Sequence, residues 1–85
     1  MFELEYSNLS KKFLKSSEKE LLLRIFDKLE KLKGNPVPPD VKRVEGYKET
    51  TFRIRVGKIR ILYRINHEKN IILISKIDKR GRVYD

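Results

Sequence analysis

The stretch TTFRIRVGKIRILYRI, residues 50–65, decides the fold of this chain. Apolar and basic residues alternate on both sides of Gly57-Lys58, and this alternation is typical of a strand with one buried face. Glycine at the first turn position adopts the positive φ that a tight hairpin turn requires. The stretch is therefore predicted to be a β-hairpin with a two-residue turn, in which Val56 pairs with Ile59.

This register gives the hairpin two different faces. The apolar face carries Phe52, Ile54, Val56, Ile59, Ile61 and Tyr63. The opposite face carries Arg53, Arg55, Arg60 and Arg64, and we call it the arginine face. A three-residue loop would mix the two sets of side chains on each face, so the two-residue turn is preferred.

Arg55 and Arg60 lie directly opposite each other in the predicted register. Like charges in that position destabilise a sheet by roughly a few tenths of a kcal/mol, so we expect something outside the fold to compensate. A polyanion would do so, because guanidinium groups bind phosphates through charge and paired hydrogen bonds. A second interpretation is equally open: the arginines keep a small sheet soluble and protect its edges.

Composition indicates one small domain, residues 1–85, with an anionic partner. The chain has 21 lysine and arginine residues against 12 acidic ones, a net charge of +9, which favours binding to an anion. The excess is concentrated in residues 50–82, which hold ten basic and two acidic residues. This asymmetry favours one basic face over a generally basic surface.

The sequence also predicts where the protein works. It contains no cysteine, so the fold must depend on packing, and a reducing compartment is expected. Its start lacks a signal sequence, and no apolar stretch approaches the ~20 residues of a membrane span. A cytoplasmic protein without a membrane segment is therefore expected.

The residues before the hairpin predict a strand and two helices. Alternating apolar residues in 2–6 indicate a short strand, and Ser7 or Ser10 can cap a brief helix after it. A longer helix follows, with Ser17 and Glu20 at the spacing of a capping box and Gly34 as its C-terminal cap.

Three further segments complete the predicted fold. Three prolines in residues 35–40 predict a crossing loop, and residues 41–46 allow a further strand. The apolar run IILISKI, residues 71–77, predicts an interior strand. The order βααβββ then predicts an α+β fold with two antiparallel helices packed on one face of a small antiparallel β-sheet. The arginine face is left without helices and becomes the candidate site.

Few kinds of chemistry suit these residues. The only histidine, His67, lies in a polar turn, where we expect it to be exposed, and no acidic pair has metal-ligand spacing, so neither a metal nor a cofactor is expected. RNA can be cut without a metal because its own 2′-OH attacks the adjacent phosphate, and fixed guanidinium groups stabilise the charge that develops. Tyr84 is a candidate base if neighbouring arginines favour its phenolate. Alternatively, Tyr84 covers the edge of the sheet.

Three segments, in this order, resemble the RelE-type toxins of bacterial and archaeal toxin-antitoxin pairs. They are RVEGY at 43–47, FRIRVGKIRILYRI at 52–65 and KRGRVYD at 79–85. The resemblance extends over essentially the whole chain. It implies a ribosome-dependent endoribonuclease that cuts mRNA in the ribosomal A site, and a cognate antitoxin that masks the basic face.

The resemblance also implies roles for individual residues. The implied catalytic residues are Arg60, Arg80 and Tyr84. The resemblance and the arginine face together give the predicted RNA-binding residues. They are Arg53, Arg55, Arg64 and Arg82. The tail alignment leaves Arg82 as an alternative to Arg80. The first two hairpin positions are lysines in the best-known bacterial members, and an arginine there stabilises phosphate but carries protons poorly.

Two other functions stay open at this point. A ParE-like member of the same superfamily would inhibit DNA gyrase and leave RNA intact. A non-catalytic RNA-binding module would use the same basic face, bind with steep salt dependence and give no cleavage products.

Overall fold

The computed structural model describes residues 1–79. Within these residues, two helices and five strands follow one another along the chain. They are β1 (Glu3–Tyr6), α1 (Asn8–Lys15), α2 (Lys19–Gly34), β2 (Lys42–Val44), β3 (Thr51–Val56), β4 (Ile59–Asn66) and β5 (Ile71–Lys79). The strands form a single sheet with the spatial order β1-β5-β4-β3-β2.

The α+β class and the order of the elements are confirmed, and the sheet itself is mixed. Strands β2 to β5 form a continuous antiparallel meander. Strand β1 instead pairs in parallel with β5, with Glu3 opposite Ile71 and Tyr6 opposite Ile74. A parallel pair needs a long connection between its strands, and here the rest of the domain provides it. Strand β5 therefore lies inside the sheet, as its apolar sequence predicted.

The hairpin has the predicted register. Val56 pairs with Ile59 and Arg55 with Arg60 across β3 and β4. Gly57 has a φ of 60°, the conformation that the two-residue turn requires of it. Both arginines therefore lie on the same side of the sheet.

The other side of the sheet forms the core with the helices. Ile25, Leu29 and Leu32 of α2 are buried against apolar side chains from β3, β4 and β5. Tyr63 is fully buried in this layer, and its hydroxyl donates a 2.6 Å hydrogen bond to the carbonyl of Pro36. This bond fixes the proline-rich loop to the edge of the core.

Serine hydroxyls attach α1 to strand β5. Ser7 caps α1 by accepting a hydrogen bond from the backbone N–H of Ser10, and it donates to the carbonyl of Ser75 at 2.8 Å. Ser10 is buried and donates to the carbonyl of Ile74 at 3.0 Å. These bonds meet β5 beside a register shift in its pairing with β4. Of the two predicted caps, Ser7 is therefore the one that is used.

The predicted caps of α2 are wrong. Ser17 donates its hydroxyl to the carbonyl of Phe13 near the end of α1 and is not the N-cap of the next helix. Glu18 is the N-cap and makes no side-chain capping bond, while Gly34 belongs to the helix and Asn35 follows it as the C-cap. Neither helix in residues 1–79 is long and apolar enough to span a membrane.

Candidate functional site

The arginine face lies on the side of the sheet away from α2, and the strand register arranges it in rows. Residues that pair across strands share a face of the sheet. One row runs across three strands through Arg55, Arg60 and Asp78. The next row runs across four strands and consists of Lys42, Arg53, Leu62 and Lys76. The two rows together hold five basic residues and one carboxylate.

Arg60 forms a two-pronged ion pair with Asp78. Its Nε donates to Oδ1 at 3.1 Å and its Nη2 donates to Oδ2 at 2.9 Å. The two side chains are only 24% and 27% exposed, so water screens this pair less than a fully exposed one. Lys76 approaches the same carboxylate, with Nζ 3.6 Å from Oδ2. Asp78 is therefore a bidentate partner of the Arg60 guanidinium.

This ion pair corrects one expectation. The opposed charges of Arg55 and Arg60 were expected to need a compensating group outside the fold, but Asp78 supplies a carboxylate from the neighbouring strand. The predicted interior strand, residues 71–77, stopped one residue before Asp78. The available signal was the continued alternation of Lys76, Ile77 and Asp78, which extends β5 to Lys79.

Lys42 and Lys76 are two further basic residues of this face, and neither was among the predicted site residues. Lys42 lies opposite Arg53, and Lys76 lies opposite Leu62. Both belong to strands whose pairing is not visible in the sequence of the hairpin alone. Leu62, between them, is 3% exposed, so an apolar side chain lies in the middle of this basic surface.

Arg64 shares the arginine face but lies at its far end. It is four residues from Arg60 on β4, about 13 Å away at roughly 3.3 Å per residue. Its Nη1 lies 2.7 Å from Oε1 of Glu49, and its strand partner is Leu73. The predicted shared face is confirmed, but Arg64 does not join the row of Arg55 and Arg60.

The predicted tail residues Arg80, Arg82 and Tyr84 lie outside the described residues. Their roles stay predictions. Two described tyrosines have raised pKa values: burial raises the pKa of Tyr63 far above its usual range, with a smaller contribution from Asp40. Burial also raises the pKa of Tyr6, with a smaller contribution from Glu30. Neither of these two hydroxyls suits the task of a base at neutral pH.

His67 is exposed, as predicted, and its ring packs edge-on against Phe2 with 5.9 Å between ring centroids. In the part of the chain that the structure describes, no group of three or more histidine and acidic side chains is placed to hold a metal ion. The described site presents guanidinium groups, which can bind phosphate groups and stabilise negative charge.

Comparison with known proteins identifies the family. A family model described as the ParE toxin of the type II toxin-antitoxin system, parDE, matches residues 4–84. The "Putative toxin RelE1" of Methanocaldococcus jannaschii is 35% identical over an alignment of 86 positions, which covers 98% of this chain and 94% of that protein.

Solved structures agree with this assignment. The toxin fold in the archaeal RelE-RelB complex from Pyrococcus horikoshii OT3 matches with a TM-score of 0.82 and 29% identity, covering 95% of this chain and 97% of that one. The isolated E. coli RelE toxin matches with a TM-score of 0.81 over 98% of this chain and 90% of that one; at 17% identity this shows the shared fold alone. The chain therefore belongs to the RelE/ParE toxins of type II toxin-antitoxin systems.

Proposed function

We propose that this toxin is a ribosome-dependent endoribonuclease that cuts mRNA in the ribosomal A site. The observation that carries the proposal is the row of Arg55 and Arg60 on the sheet face away from α2, with Arg53 in the next row. Its relationship to RelE toxins supports the same activity. Three guanidinium groups on one rigid surface are suited to a chain of phosphates.

In the proposed reaction, the 2′-OH of one nucleotide attacks the adjacent phosphorus. The 2′ oxygen loses its proton as it bonds to phosphorus and forms a 2′,3′-cyclic phosphate, while the bond to the 5′ oxygen of the next nucleotide breaks and that oxygen takes up a proton. Arg60 stabilises the negative charge that grows on the phosphate oxygens. Arg53 and Arg55 hold the flanking phosphates in line. Arg80 and Tyr84 are proposed to complete the site, with Tyr84 moving a proton and Arg82 contributing to RNA binding.

The same basic face is the proposed surface for a cognate antitoxin. The net charge of +9 favours an acidic partner, and the Pyrococcus horikoshii relative was solved as a RelE-RelB complex. An antitoxin on the arginine face would compete directly with mRNA for the same guanidinium groups. We propose that the toxin works in the cytoplasm, where it meets both the antitoxin and the ribosome.

The test is primer extension on an mRNA held in programmed ribosomes. Wild-type toxin should cut at the A-site codon and leave ribosome-free RNA intact. Arg60→Ala should slow cleavage by about 100-fold or more, the usual loss when one group that stabilises transition-state charge is removed. Tyr84→Phe should also slow it.

Arg43→Ala is the matched control for charge. Arg43 is exposed and pairs with Phe52, so it lies on the opposite side of β2 from the arginine face. Its removal lowers the net charge equally but should leave cleavage nearly unchanged. Intact mRNA on ribosomes that carry bound wild-type toxin would overturn the proposal.

The description of the matching family model favours a second candidate, a ParE-like inhibitor of DNA gyrase. Supercoiling of relaxed plasmid by gyrase, measured with and without the toxin, separates the two. Inhibition of supercoiling together with intact mRNA would favour the ParE-like function. Normal supercoiling together with A-site cleavage would favour the ribonuclease.

A further inference from the structure

We propose that Asp78 is a positioning residue for the reaction, which holds the Arg60 guanidinium in the orientation that the transition state needs. The inference rests on the proposed function and adds a carboxylate to a site otherwise assigned to cations. It starts from the bidentate geometry, in which Nε and Nη2 of Arg60 both donate to Asp78 at 3.1 and 2.9 Å. Two parallel hydrogen bonds fix both the position and the plane of a guanidinium.

The place of Asp78 in the sheet supports this role. Arg60 lies on β4 between Arg55 on β3 and Asp78 on β5. Repulsion from Arg55 and attraction to Asp78 act in the same direction, so both draw the Arg60 side chain toward β5. The carboxylate is itself held by Lys76 at 3.6 Å, and the pair is three-quarters buried. The neighbouring strands thus favour one orientation of the Arg60 side chain.

A fixed guanidinium is worth more to catalysis than a mobile one. Stabilisation of a transition state depends on donors that are already aimed at the place where charge develops, and small misplacements are costly. A carboxylate beside the site also has a cost, because it lowers the positive potential that attracts RNA. Asp78 should therefore weaken binding of the RNA while it speeds the chemical step.

Because these two effects are opposed, binding and cleavage rate should change in different directions when Asp78 is replaced. In Asp78→Asn, the site gains positive charge and loses the charged partner of Arg60. Cleavage of ribosome-bound mRNA at saturating toxin should slow by about 10- to 100-fold, while the toxin concentration for half-maximal rate should stay the same or fall. Asp78→Glu keeps the charge and should recover part of the rate.

Glu49→Gln is the matched control. Glu49 pairs with Arg64 on the same face at 2.7 Å, so this change removes the same charge but leaves the Arg60 pair intact. It should tighten binding to a similar extent and leave the cleavage rate close to that of wild type. Thermal melting of each variant shows whether the fold is preserved.

Three outcomes would overturn the inference. Wild-type cleavage by Asp78→Asn would show that Arg60 needs no positioning. Tighter binding with faster cleavage would show that Asp78 merely competes with phosphate. Weaker binding, slower cleavage and a lower melting temperature together would show a purely structural role.

A measurement without the ribosome separates this inference from the proposed function. Hydrogen exchange of the Arg60 Nε–H, followed by NMR in the free toxin, should become at least about 10-fold faster in Asp78→Asn because a hydrogen bond to a charged acceptor is weakened. If wild-type toxin fails to cut mRNA, the proposed function fails, and this exchange rate still decides whether Asp78 holds Arg60. An unchanged rate would overturn the inference.

Discussion

The two faces of the sheet differ in what their side chains do, although these side chains alternate along the same strands. On the face covered by the helices, Ile54, Ile61 and Ile72 are at most 1% exposed, and packing of apolar side chains provides the stability. On the arginine face, Arg55 is opposed to Arg60, and Asp78 offsets part of the repulsion. Alternate residues along each strand therefore have different roles: those on one face stabilise the fold, and those on the other form the candidate site. Neighbouring residues should respond differently to substitution.

The largest difference between the faces should appear in a pair of alanine variants. Ile61→Ala removes a fully buried side chain and should lower the free energy of unfolding by about 2–5 kcal/mol. Arg53→Ala, on the arginine face, should lower it by less than about 1 kcal/mol. Urea denaturation measures both. Equal losses in the two variants would contradict the division of roles between the faces.

Tyr63 tests whether the covered face depends on apolar packing alone. Tyr63→Phe keeps the ring but removes the 2.6 Å hydrogen bond to the Pro36 carbonyl. The unfolding free energy should fall by about 1–2 kcal/mol, since the partly buried Pro36 carbonyl then loses its donor. The same denaturation assay applies, with Tyr47→Phe at an exposed tyrosine as control. A neutral Tyr63→Phe would show that the proline loop is held by packing.

Alkaline pH should lower the stability of the fold through the same tyrosine. The pKa of Tyr63 is raised above its ordinary value of 10.0, so above that pH the unfolded chain loses this proton while the folded chain retains it. Stability is therefore complete below about pH 10 and falls as the pH rises, by up to about 1.4 kcal/mol per pH unit for this group. Melting temperatures at pH 9 and pH 11 measure the loss, which should be smaller in Tyr63→Phe. An equal loss in both proteins would assign it to other groups.

The smallest effect is expected at the far end of the arginine face. Glu49 is 72% exposed and Arg64 is 34% exposed, so solvent screens their ion pair. Glu49→Ala should change the unfolding free energy by less than about 1 kcal/mol, and added salt should reduce the difference further. Urea denaturation at low and high ionic strength tests this. A large, salt-independent loss would show that the arginine face supports the fold as well.

Sequence reasoning succeeded where structure is local and failed where distant residues compete. Alternation and Gly57 determine the hairpin, its register and the side on which each arginine lies. The direction of β1 depends on its pairing with β5, which no local pattern reveals. Ser17 had the right spacing to cap α2, but α2 starts one residue later, with Glu18 as its N-cap, and the Ser17 hydroxyl bonds to α1 instead.

In the candidate site, too, local features were predicted and contacts between distant residues were missed. The common face of Arg53, Arg55 and Arg60 followed from strand parity. Asp78 was missed because the predicted strand stopped at residue 77, and its partner Arg60 lies 18 positions earlier in the sequence. The roles of the tail residues 80–85 still depend on the resemblance and on the cleavage assay.

The parallel pairing of β1 with β5 has a consequence for synthesis of the protein. Glu3 of β1 pairs with Ile71, and Ser7 at the start of α1 bonds to Ser75, 68 positions later in the chain. Contacts between such distant residues form late and slow folding. During translation the β3–β4 hairpin can pair early, but β1 and α1 have no docking strand until β5 has left the ribosome. A nascent toxin therefore completes its sheet only after residues 71–79 have been made.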